Sequence, residues 1–76
     1  MSQKKEHFRI DAAYIDAFKN ALELNGDCYA TQYELKDTDY IVTIAYNHDF
    51  SLFFLGQGYQ VEKRLQDLKA EKNKVN

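Results

Sequence analysis

Between Asp11 and Asn25 the apolar residues Tyr14, Ile15, Phe18, Ala21 and Leu22 recur at three- and four-residue intervals, while Asp16, Lys19, Asn20 and Glu23 fill the other side. The spacing predicts an amphipathic helix of about three to four turns. Asp11 is an N-cap type residue, and Ile10 and Ile15 stand at the spacing of a hydrophobic staple. Asn25-Gly26 marks the end, where the backbone is expected to swing to positive φ. From Asp27 the pattern changes to alternation, with Tyr29, Thr31, Tyr33 and Leu35 on one side and Cys28, Ala30, Gln32, Glu34 and Lys36 on the other. After the polar turn Lys36-Asp37-Thr38-Asp39, the β-branched and aromatic run Tyr40 to Tyr46 reads as a second strand. Asn47-His48-Asp49 reads as another turn and Phe50 to Leu55 as a third strand, apolar on both faces. Gly56-Gln57-Gly58 is expected to break it and to open a second helix with Val61, Leu65 and Leu68 on its apolar side.

The expected architecture is therefore α+β. Its order is α-β-β-β-α, a three-stranded antiparallel meander with both helices packed on one face. Residues 1–9 read as a flexible lead, 10–70 as a single domain and 71–76 as a lysine-rich tail. Short turns fix the register: aligning Leu35 with Tyr40 puts Tyr33 opposite Val42, Thr31 opposite Ile44 and Tyr29 opposite Tyr46. The other face of the sheet would then carry Gln32, Glu34 and Thr43 as a polar surface, with Ile41, Phe53 and Leu55 as an apolar corner. Leaving three such side chains in water forgoes roughly 1.5–3 kcal/mol each, so a partner surface is expected over that corner. Tyr59, at the start of the second helix, would lie beside it.

Composition narrows the functional classes. At 76 residues with 45% apolar content the chain is long enough for one small core. A net charge of −2 and a pI near 5.6 offer no general attraction for polyanions. The single cysteine, Cys28, excludes an internal disulfide and points to a reducing, cytoplasmic setting. The apolar runs are far shorter than the ~20 residues a bilayer span needs.

Individual chemistries are weakly marked. His48 beside Asp49 could titrate or act as a base, but Asn and Asp are what a turn selects on backbone grounds. Gly56-Gln57-Gly58 lacks the further glycines, or the Lys-Ser/Thr, of a phosphate loop. Cys28 has no basic neighbour and no CxxC partner, and His7, Cys28 and His48 lack the paired spacing of a metal site. No cofactor, metal or small-molecule ligand is expected, and no catalysis.

The α-β-β-β-α order resembles that of the double-stranded RNA-binding domain and of small toxins built on that scaffold. The resemblance implies contacts to phosphates from the second helix and the first hairpin. Here the cations available are Lys63, Arg64, Lys69 and Lys72, and the hairpin is acidic. The leading expectation is a small non-catalytic interaction module, a regulator or inhibitor of another protein such as a phage or mobile element carries. It would act through the open sheet face and could form a homodimer. Nucleic-acid binding through the second helix and the tail is the alternative.

Overall fold

In the computed structural model, which describes residues 3–74, the strands β1 (Lys4–Asp11), β2 (Cys28–Lys36) and β3 (Asp39–Tyr46) form one antiparallel sheet in the order β1-β3-β2. A 3₁₀ turn (Ala12–Tyr14) leads into helix α1 (Ile15–Leu24), and the 26-residue helix α2 (Asp49–Lys74) follows β3. The fold is a compact α+β arrangement of a three-stranded antiparallel sheet with two helices packed against each other, as the hydrophobic pattern implies. The order of elements is nevertheless β-α-β-β-α. The third strand comes from the N-terminal segment, and Phe50 to Leu55 is helical.

Residues 4–9, expected as a loose lead, are thus an edge strand. Glu6, Phe8 and Ile10 alternate with Lys5, His7 and Arg9, and pair in register with Ile44, Val42 and Tyr40 of β3. Ile10 is buried in the core and Phe8 packs against it. The strand carries just these two large apolar residues, which is why its period of two is faint in the sequence.

The helical state of Phe50 to Leu55 has a packing reason. A short apolar run satisfies strand and helix templates equally. Once β1 occupies the free edge of β3, the run can no longer pair with the strand that precedes it. As a helix it places Leu52, Leu55 and Tyr59 on one side, against the core of Phe18, Val42 and Ile44. Asp49 stands in the first turn, where the helix dipole favours a negative charge. Gly56 and Gly58 lie inside α2 rather than breaking it. A Cβ at Gly56 would meet nothing within 4 Å, and neither glycine has positive φ. Gly56→Ala is therefore expected to raise stability by about 0.5–1 kcal/mol, read as a higher urea midpoint at unchanged slope.

The hairpin keeps the expected pairs Leu35 with Tyr40 and Tyr33 with Val42, then shifts at a bulge between Ala30 and Gln32. Thr31 is the extra residue, its hydroxyl donating to the Thr43 carbonyl at 3.3 Å. Beyond it the faces exchange. Ala30 pairs with Ile44 and Cys28 with Tyr46 on the covered side, whereas Tyr29 is exposed and donates to Gln3 at 2.8 Å across Ala45. The expected placement of Tyr29 inside and Cys28 outside is corrected by this one residue.

The cap at Asp11 is present, its carboxylate accepting from the Ala13 N–H at 2.9 Å. At the other end, Asn25 is extended (φ −112°) rather than left-handed. Its side chain accepts from the Asp27 N–H and donates to the Ser51 carbonyl, tying the end of α1 to the start of α2. The positive φ falls instead at Asp37 (56°), in the two-residue loop that joins β2 to β3.

Candidate functional site

The apolar corner expected on the sheet does not exist. Leu55 is 1% exposed and belongs to the core beneath α2. Phe53, 61% exposed, is on the solvent side of α2, while half-buried Ile41 lies on the open sheet face. Tyr59 faces inward, its ring edge-on to Phe18 at 5.5 Å. Of the expected contact set, Gln32, Glu34, Thr43 and Ile41 do share the open face, paired as Gln32 with Thr43 and Glu34 with Ile41. Around them stand Lys5, His7 and Arg9 from β1. His7 is hydrogen-bonded to the Thr43 hydroxyl at 2.9 Å and Arg9 to Asp39 at 2.6 Å. That face is a polar surface on which His7 with Thr43 and Arg9 with Asp39 are paired.

The apolar surface lies elsewhere. α2 is apolar on two opposite sides: Leu52, Leu55 and Tyr59 pack inward, and Phe50, Phe54, Val61, Leu65 and Leu68 form an outward stripe, each about half exposed or more. The reason is visible in the spacing. Positions 50, 54, 61, 65 and 68 follow each other at intervals of three, four and seven, so they return to one face of a 3.6-residue helix. Phe53 borders this stripe, its ring centroid 5.8 Å from that of Phe54, and Phe50 and Phe54 meet at 6.1 Å. His48 stacks on Phe50 at 5.1 Å with the rings nearly parallel, which gives the imidazole of the Asn47-His48-Asp49 turn a packing role.

α1 extends this surface. Leu24, 79% exposed, lines a shallow concavity with Ala21, Gly58 and Phe54. A second concavity between the helices is lined by Asp16, Asn20, Leu65 and Lys69. The 3₁₀ turn before α1 is tied to α2 by Tyr14 donating to Asp67 at 2.7 Å and by Gln66 donating to the Ala13 carbonyl at 2.6 Å. The Asp67 carboxylate holds the Tyr14 hydroxyl above the usual tyrosine range. Burial does the same for Tyr59, with a smaller push from Asp11.

The cations proposed for nucleic acid do not form one patch. Lys63 lies over the Tyr14 and Tyr59 rings, at 4.9 and 5.3 Å from their centroids. Lys63 and Arg64 line a groove with Gln60, Val61 and Asp67, whereas Lys69 lines the concavity on the α1 side. By helical spacing Lys63, Arg64, Lys69 and Lys72 fan around α2, interleaved with Glu62, Asp67 and Glu71. The element order that carried the likeness to the double-stranded RNA-binding domain is also absent.

Among the described residues no group of three or more His, Cys, Asp and Glu is placed to hold a metal ion. Cys28 is buried beside Tyr46, and that burial raises its thiol above the usual range, away from nucleophilic reactivity. No described helix is long and apolar enough to cross a membrane. The outward stripe of α2 was visible in the sequence as Val61, Leu65 and Leu68, but there it passed for the core side of the second helix. No protein-family model, curated protein or solved structure matches this chain.

Proposed function

We propose that this chain is a small, non-catalytic protein-interaction domain that binds through the outer face of its helical layer. The observation that carries this reading is the outward stripe of Phe50, Phe54, Val61, Leu65 and Leu68 on α2, interrupted on that face by Gln57 and continued by Leu24 of α1. With large side chains presenting on the order of 100 Å² each when half exposed, the surface amounts to roughly 600 Å². That is at or above the largest apolar patch of an ordinary monomer, about 300–600 Å². A domain with this surface acts by occupying its partner, as a regulator or inhibitor does. Its lone, buried thiol suits a reducing compartment such as the cytoplasm.

The test is affinity capture with three folded baits: wild type, a helix-face variant (Phe54→Asp with Leu65→Asp) and a sheet-face variant (Ile41→Asp). Retention of one protein, the domain's own copy included, by wild type and the sheet-face variant, with loss by the helix-face variant, is the expected result. Loss by the sheet-face variant alone would move the site to the strands and overturn the reading.

A further inference from the structure

Resting on that reading, we infer that the occupant of the outer face is a second copy of this chain, with the two α2 helices packed antiparallel and crossing at Val61. The stripe is arranged about that residue. Phe54 and Leu68 stand seven positions to either side, so an antiparallel pair sets each Phe54 against the partner's Leu68, ring against branched aliphatic side chain. Leu65 then falls opposite Gln57 and Phe50 opposite Lys72, whose methylene stems extend the apolar contact. Its area is also of the right order. Roughly 600 Å² per copy approaches the ~800 Å² that each partner contributes to a standard stable interface.

Length supplies a second argument. At 1.5 Å per residue α2 is about 39 Å long, whereas the contacts that fasten it to the 3₁₀ turn and α1 end at Gln66, Asp67 and Lys69. The turns beyond Lys69 therefore project past the body of the domain, with half-exposed Leu68 at their base. An antiparallel mate covers that projecting segment with its own Phe54 and Phe50.

Charge selects the direction. In the antiparallel register Arg64 falls opposite Gly58, Lys69 opposite Phe53 and Glu62 opposite Gln60, with no like charges facing. A parallel pair would set Arg64, Lys69 and Lys72 each against its own equivalent, and the helix dipoles side by side.

Sedimentation equilibrium of the full chain at about 100 µM, above the weak end of the micromolar-to-picomolar range of such interfaces, is expected to show a dimer. Val61→Glu, on an exposed helical position, should keep the circular dichroism spectrum and weaken association by ~100-fold, because two carboxylates would meet on the two-fold axis. Under mild oxidation Val61→Cys should form a disulfide-linked dimer. Leu68→Cys should not, since its two thiols would be about 21 Å apart along the axis. A wild-type monomer at this concentration overturns the inference, and if the helix-face variant then still loses a different captured protein, the interaction reading stands without it. Cross-linking through Leu68→Cys overturns the antiparallel arrangement. A dimer broken by Ile41→Asp and untouched by Val61→Glu overturns both.

Discussion

Leu55→Ala is expected to lower the unfolding free energy by about 2–5 kcal/mol, whereas Phe53→Ala, two residues earlier, should leave it within about 0.5 kcal/mol. The contrast follows from the helical state of this segment. Leu55 is enclosed against Phe18, Val42 and Ile44, and its truncation leaves a cavity that its close-packed neighbours can only partly fill. Phe53 faces solvent, so its removal takes nothing from the interior. The effect at Leu55 is large on the scale of the whole molecule: at 0.05–0.15 kcal/mol per residue, a chain of 76 residues has a total of roughly 4–11 kcal/mol. Urea titrations followed by circular dichroism decide the matter. If Phe53→Ala and Leu55→Ala shifted the midpoint equally, the segment could not be a helix with one face buried.

The second large effect is expected from the N-terminal strand. Removing residues 1–11 should abolish the cooperative unfolding transition, with loss of the sheet and most of the helical signal. β1 pairs with β3 along its whole length, from Lys4 opposite Tyr46 to Asp11 opposite Asp39. Without it β3 becomes an edge and the sheet is reduced to the β2–β3 hairpin, which is marginal in water on its own. The deletion also removes Ile10 and Phe8 from the core and the Asp11 cap from the turn that leads into α1. A point substitution separates these contributions: Ile10→Ala should cost about 2–5 kcal/mol with the strand pairing left in place. A truncated chain that still unfolded cooperatively at the full-length midpoint would show that the segment is a dispensable lead after all.

Both expectations turn on the two places where the local pattern and the fold part company. The α1 helix, the β2–β3 hairpin and its pairing at Leu35–Tyr40 and Tyr33–Val42 were legible because their signals are local: a cap with a three-four repeat, and an alternation broken by a polar turn. The lead was not, because an edge strand with one covered face needs few apolar residues, and Phe8 and Ile10 alone make a short alternation. The candidate surface was legible only in part. Val61, Leu65 and Leu68 were recognisable as one helical face, but which side of that helix meets the core depends on Leu52, Leu55 and Tyr59. Their helical alignment becomes apparent only once Phe50 to Leu55 is taken as a turn and a half of helix.

By itself the sequence determined the α+β class, the amphipathic first helix, the hairpin and the abundance of apolar side chains. Tertiary structure decided which segment became the third strand, because β3 has two edges and pairing with β1 left none for Phe50 to Leu55. It decided the face of each residue before Gln32, because one bulged threonine inverts the alternation without any loss of strand character. And it decided where the exposed apolar surface lies. That placement depends on which of α2's two apolar sides the sheet and α1 bury, a contact between segments distant in sequence that no local repeat encodes.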